Sequence, residues 1–344
     1  MYRYAIVGLG PAGIFALASL PIEELAHTIV FEPALIGGEL AAQYGAVVAN
    51  ISKADMVAAF RMIPRWATVE FPLLAATADE ACPLLADVAK QIRALIREDL
   101  SRVDVCALKV TAFQQTADQR WLLQAGGRMF DAQNLILTPG APPKTLDLPI
   151  PSIPLPIALH KERLALHVTP TDRILVIGTS HSGTLILKNL KDLGCTHVTA
   201  FYRGKTPFSF ARDGDTEGIK QESATIADEI LSNAWGSKTP TLLKSDDLTT
   251  QFRVLQRTHY VIYAIGFGAP SLFFLDPYGH LQRFSDVFDP STSTFRGAQK
   301  AWGFGIGFPR MYTAPNGSHH LDVAFKPFIE AIQAAMPHIL APIP

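Results

Sequence analysis

What the 344-residue chain lacks narrows it before any motif is read. It has only three cysteines, Cys82, Cys106 and Cys195, too scattered for a disulfide framework or a zinc cluster. No Cys-x-x-Cys occurs, so a thiol–disulfide relay has no chemical basis here. Such sparse cysteine suits a reducing compartment, and the cytoplasm is the expected location. Neither sign of charge is in excess: 30 Lys and Arg meet 31 Asp and Glu, leaving a formal charge of −1. That balance lacks the basic field that sequence-independent phosphate binding needs, and no nucleic-acid partner is expected. Long apolar runs are missing too. The apolar opening from Tyr4 to Leu20 carries three glycines and a proline and falls short of a ~20-residue span. It reads as a buried strand, turn and helix rather than an integral membrane segment or a leader.

What is present points to a large folded protein. Hydrophobic residues make up 48% and charged residues 18%, enough apolar surface for a substantial core. The length suggests two domains.

The opening is a strand, a glycine turn and an Ala/Leu-rich helix, followed by a second strand at Thr28–Pro33. This is a β-α-β unit, which implies a parallel sheet. A second unit of the same kind starts at Arg173–Gly178, continues as a helix near Thr184–Leu193 and returns as the strand His197–Tyr202. Between the two, apolar residues at helical spacing predict one amphipathic helix over roughly 79–102. Three strand-like runs near 109–115, 120–125 and 134–138 predict a small antiparallel meander. Seven prolines between Pro139 and Pro156 predict a stiff, irregular crossover. A closing helix is expected from Asp322 to about Met336.

The chemistry-bearing turns sit inside the two β-α-β units. Gly8-Leu-Gly10-Pro11-Ala12-Gly13 places glycines where the turn is tight, where backbone must approach a pyrophosphate, and where helix meets strand. The helix N-terminus adds free N–H groups and a partial positive charge. Glu32 ends the second strand, where a carboxylate can accept hydrogen bonds from an adenosine ribose. The turn alone does not choose between NAD and FAD, which present it with the same ADP half. Gly178-Thr-Ser180-His181-Ser182-Gly183 repeats the turn with serine in the middle position. Its following strand ends in Tyr202-Arg203-Gly204-Lys205, without a carboxylate and with two cations placed for a 2′-phosphate, which favours NADP over NAD while leaving NAD possible.

With those residues in place, the chain resembles the two-dinucleotide-binding-domain flavoproteins, and the resemblance covers nearly all of it. It implies an α/β fold with two Rossmann-like domains: a discontinuous FAD domain (1–150 and 270–344) with the meander, and an inserted NAD(P)H domain (151–269). The strands ending in Gly140 and Gly266 are similar to the family's domain-crossing strands, and Gly307 lies in a Gly-Phe-type ending. Gly37-Gly38, Tyr44 and Asn50-Ile-Ser-Lys53 are similar to a stretch of the flavin-containing and N-hydroxylating monooxygenases, which implies a place for Asn50 beside the flavin and a catalytic role for it. Tyr312, Asn316 and His319 would precede a closing helix facing the flavin. The resemblance thus implies an oxidoreductase using FAD and NADPH, first as a monooxygenase acting on a small molecule. A reductase of a quinone or protein acceptor is the alternative, and a catalytically degenerate flavin- or nucleotide-binding protein the second. Neither the substrate nor the oligomeric state is legible.

Overall fold

The computed structural model describes residues 1–210, 218–246, 248–313 and 319–341, with the side chains of 248–250, 312, 313, 319, 320 and 322 outside the description. Along the chain, strand β1 (Tyr2–Val7) leads into helix α1 (Pro11–Ser19), strand β2 (Thr28–Phe31) and the short helix α2 (Gly38–Gln43). Helices α3 (Lys53–Phe60) and α4 (Leu85–Leu95) follow, then strands β3 (Asp104–Cys106), β4 (Val110–Gln115), β5 (Trp121–Ala125) and β6 (Arg128–Leu137). Next come β7 (Arg173–Ile177), α5 (His181–Asp192), β8 (His197–Tyr202), α6 (Gln221–Leu231), β9 (Thr241–Lys244) and β10 (Tyr260–Tyr263). The chain ends in strands β11 (Phe273–Leu275), β12 (Leu281–Arg283), β13 (Phe288–Asp289), β14 (Thr294–Phe295), β15 (Ala298–Gly303), β16 (Arg310–Thr313) and β17 (His319–Asp322), closed by α7 (Phe325–Ile339).

Two compact units divide these elements. The first holds Met1–Gly45, Lys53–Pro142 and Gly268–Pro344; the second holds Ala46–Ser52 and Pro143–Phe267. These units meet at 142/143 and 267/268, and a seven-residue piece of the early chain packs with the second unit.

In the first unit, β15, β6, β1, β2 and β3 lie side by side and parallel. Strand β6 is longer than the expected 134–138 because it serves two layers. Its first half pairs antiparallel with β5 to form the meander, and its second half pairs with β1 and β15. The parallel strands carry unbroken apolar runs such as Tyr4–Val7 and Leu135–Leu137, as strands covered on both faces must. One face is covered by α1 and α7, where Phe15 meets Phe60, Trp66 and Phe325 ring to ring at 5.6–6.0 Å. Trp121, Phe274, Phe284, Phe295 and Phe308 fill the other side.

The expected helix over 79–102 is shorter and divided: α4 starts at Leu85, and a separate turn spans Arg97–Leu100. Pro83 disfavours helical backbone in the residue before it, which delays the start. The closing helix begins at Phe325 because residues up to Asp322 are taken into the β16–β17 ladder. A half-buried cation finishes α1, which has no basic residue in its last turn. The Arg65 guanidinium donates to the carbonyls of Leu17 (2.6 Å), Ala18 (2.9 Å) and Leu20 (2.7 Å) and pairs with Asp99. It satisfies the Ala18 and Leu20 carbonyls and adds a second donor to the Leu17 carbonyl, which also accepts from Leu20 N–H.

The second unit is a four-stranded parallel sheet, ordered β10-β7-β8-β9, with α5 and α6 packed together beside it. Only parallel neighbours occur in it, the signature of repeated β-α crossovers. The proline-rich segment is irregular from Pro139 until a single helical turn at Leu155–Ala158.

Candidate functional site

The first turn separates its three glycines by role. A Cβ on Gly8 would lie 2.3 Å from the Thr138 carbonyl oxygen, and one on Gly13 2.1 Å from the Gly8 carbonyl oxygen. Those glycines let helix, strand and turn meet, and Gly8 also adopts φ +96°. Gly10 is different: φ is −68°, and a Cβ there would meet nothing within 4 Å. Folding does not require glycine at that position. The space beside it is open, and Pro11 sits in the first turn of α1, where a missing N–H costs nothing.

Other residues of the first unit converge on the same turn. Gly37 N–H donates to the Leu9 carbonyl at 2.8 Å, and a Cβ on Gly38 would come within 2.9 Å of Gly10 Cα. Both have positive φ, which lets this loop lie against the turn. The Glu32 carboxylate accepts from Leu9 N–H (2.7 Å) and Ala34 N–H (3.0 Å). A carboxylate offers about four lone-pair positions, so acceptor capacity remains at the turn's edge. From the chain's end, Gly305 would bring a Cβ within 2.7 Å of Ala12 Cβ, and Gly307 one within 2.3 Å of the Gly140 carbonyl. The glycines at 140 and 307 are thus brought together, near the start of α1.

Two contributors escaped sequence reading. The Thr138 hydroxyl donates to the Gly8 carbonyl at 2.7 Å and braces the turn from below. Gly305 was hidden in Gly-Phe-Gly-Ile-Gly, where spacing alone does not show which glycine meets helix α1.

The second turn repeats the first. A Cβ on Gly178 would lie 2.3 Å from the Ala264 carbonyl, and one on Gly183 2.0 Å from the Gly178 carbonyl. Ser180 stands in the open middle position with φ −76° and ψ −169°, and it makes no capping hydrogen bond. Thr179 donates its hydroxyl to the Pro207 carbonyl, which ties the loop after β8 to the turn. That loop carries Arg203, exposed and without an ion-pair partner among the described residues. Ser182 lies in the first turn of α5, and Gly266 ends the β10 segment at φ +83° with space around it.

The His181 side chain does not point its nitrogens at an anion. Nε2–H donates to the Val48 carbonyl (3.0 Å), which fixes the tautomer, and Nδ1 accepts from the fully buried Ser223 hydroxyl (2.5 Å). Burial lowers its pKa from the usual 6.5, opposed by the Val48 bond and by Glu222. The ring fastens the Ala46–Ser52 segment within the second unit, and only the backbone of His181 remains for a ligand.

Asn50 belongs to that segment. Its Nδ2 donates to the Gly218 carbonyl at 3.2 Å, while Oδ1 is buried without a partner. Lys53, in the other unit, pairs with Asp79 and donates to the Thr77 carbonyl. The Asn-x-x-Lys stretch thus has its two polar ends in different compact units. Tyr312 and His319 have undescribed side chains, and Asn316 lies outside the described residues. Among the described residues no group of His, Cys, Asp and Glu could hold a metal, and no helix is long and apolar enough to cross a membrane.

No family model matches the chain. A curated relative, Monooxygenase AgnR1 of Paecilomyces divaricatus, is 24% identical, with 98% of this chain and 97% of the relative covered. Among solved structures, a flavin-containing monooxygenase from Stenotrophomonas maltophilia aligns at TM-score 0.62 and 15% identity, covering 98% of each chain. Lysine monooxygenase NbtG from Nocardia farcinica aligns at 0.61 and 15%, covering 97% of this chain and 99% of that one. Bacillithiol disulfide reductase Bdr from Staphylococcus aureus aligns at 0.61 and 13%, covering 99% of each. The chain has the α/β fold of the two-dinucleotide-binding-domain flavoproteins, shared by monooxygenases and disulfide reductases alike.

Proposed function

We propose that the chain is an FAD-dependent enzyme that oxidises NADPH, delivers the two electrons to molecular oxygen, and passes one oxygen atom to a small, soft nucleophile such as a thioether or amine while the other leaves as water. The observation that carries this reading is the open space at Gly10, in a turn whose other glycines are required by packing. A diphosphate needs such an approach; a purely structural turn does not. The monooxygenase relative, similar along nearly its whole length, supports the oxygenating form.

In this reading Gly8, Gly10, Pro11, Ala12 and Gly13 receive the FAD diphosphate at the α1 N-terminus, with Gly37, Gly38, Gly140 and Gly307 bounding the site and Glu32 accepting from the ribose. Gly178, Ser180, Ser182, Gly183 and the His181 backbone receive NADPH, Gly266 bounds that site, and Arg203 pairs with the 2′-phosphate. Bound FAD would supply the hydride-accepting and oxygen chemistry. The protein's share is orientation: backbone N–H groups fix the two diphosphates, and Asn50 offers its unpartnered Oδ1 to a donor. The reaction takes place on a small-molecule substrate.

Anaerobic mixing with NADPH should bleach the flavin bands, and readmitting air with thioanisole should give the sulfoxide. Peroxide alone would instead favour a reductase of a quinone or protein acceptor. One observation favours that second reading: the Asn50 amide already donates to Gly218 within the second unit.

A further inference from the structure

We propose that a cavity of the first unit, remote from both glycine turns in sequence, binds a small organic anion: a phosphate or carboxylate carried on an apolar body. The cavity lies among the 291–293 turn, strands β14 and β15, Arg310 and the last turns of α7, and it measures about 600 Å³. That is room for a ligand of ordinary metabolite size. Lys300, Arg310 and His338 stand in its lining, and neither Asp nor Glu does. Among the described residues none of the three has an ion-pair partner. The hydroxyl residues Ser293 and Thr294 add donors, and Trp302, only 6% exposed, adds a flat apolar wall.

Three negative groups stand near the cavity without lining it: Asp289, whose carboxylate is held by the Ser291 N–H (2.9 Å) and hydroxyl (2.6 Å), Asp322, and the end of α7. Asp322 is opposite Arg310 in the β16–β17 ladder, and the C-terminal end of α7 carries about half a negative charge. The ionisable side chains of the lining itself are all basic: Lys300, Arg310 and His338.

The placement of Lys300 is built. Its φ is +55°, a left-handed conformation that glycine or asparagine adopts more readily than lysine. The backbone of the preceding residue is held by three hydrogen bonds: Gln299 N–H donates to Gln115 Oε1 (3.2 Å), while the Gln299 carbonyl accepts from Gln115 Nε2 (2.7 Å) and Trp121 Nε1 (3.0 Å). Gln115 and Trp121 are themselves buried. A buried amide and an indole thus hold a cation in an unfavoured backbone region, where a neutral residue would serve the fold better. Strand β15 then runs from Lys300 toward Gly305, where an added Cβ would come within 2.7 Å of Ala12 Cβ at the start of α1.

Calorimetric titration of the purified holoprotein at low salt with phenyl phosphate, benzoate and inorganic phosphate tests the site. Saturable binding of phenyl phosphate or benzoate is expected, the two arms telling phosphate from carboxylate, with inorganic phosphate at least tenfold weaker for want of an apolar body. Lys300→Asn, which suits the left-handed backbone while removing the charge, and Arg310→Gln, in a different hairpin, should each weaken binding at least tenfold with flavin content unchanged. Absence of saturable binding, or equal affinity in the double variant, overturns the proposal. So does binding abolished by Gly10→Val alone, which would place the anion at the first glycine turn.

Discussion

Gly10 and Ser180 hold the same backbone conformation, φ/ψ −68°/−174° and −76°/−169°, each between two glycines that packing makes obligatory. The middle position of each turn is thus free of steric demand from the fold. Gly10→Val should change stability by no more than about 0.5 kcal/mol, as for an unconstrained surface site. Flavin should nevertheless be lost, because the added methyls occupy the approach to the turn. Gly13→Ala should cost about 3 kcal/mol, since its Cβ would overlap a carbonyl oxygen. Thermal unfolding and flavin absorbance of the two variants, side by side, check the division.

Arg203 should govern the choice of reductant. Arg203→Gln is expected to raise KM for NADPH at least tenfold, about 1.4 kcal/mol, with KM for NADH unchanged. Equal effects on both dinucleotides would make Arg203 an ordinary surface charge.

His181 should make the protein acid-sensitive. Its folded pKa is depressed by burial, so the unfolded chain binds a proton at higher pH than the folded one does. The neutral ring's contribution is complete above about pH 6.5 and is lost as pH falls toward the folded value. The melting temperature of the wild type should drop between pH 7 and 5.5, and His181→Gln should flatten that slope. An unchanged slope in the variant would assign the acid sensitivity elsewhere.

Arg65 should be a stability residue without a catalytic role. Arg65→Met leaves the Asp99 carboxylate and the Ala18 and Leu20 carbonyls without the guanidinium, the Leu17 carbonyl keeping the Leu20 N–H, and should cost about 3 kcal/mol. Asp99→Asn in the same background should recover part of it, and chemical denaturation of the cycle measures the coupling.

The two β-α-β units were legible because strand, turn, helix and strand follow one another within a few dozen residues, and each leaves a local pattern. What the sequence hid is long-range. Nothing local in Arg128–Leu137 tells that its two halves pair with different partners, or that Thr138 supports Gly8 from 130 residues away. His181 looked like a residue for phosphate because it sits in the turn; its ring turns instead to Ser223 and Val48, and neither separation is visible to a motif. Asn50 shows the same limit. Its neighbours in sequence suggest one site, and its hydrogen bond to Gly218 puts it with the second unit.

The central claim is that the first glycine turn holds a flavin dinucleotide, and FAD titration of cofactor-stripped protein, followed by absorbance, tests it most directly. Wild-type protein should take up FAD saturably and bleach with anaerobic NADPH, while folded Gly10→Val takes up none. Folded wild-type protein that stays colourless in excess FAD would contradict the account.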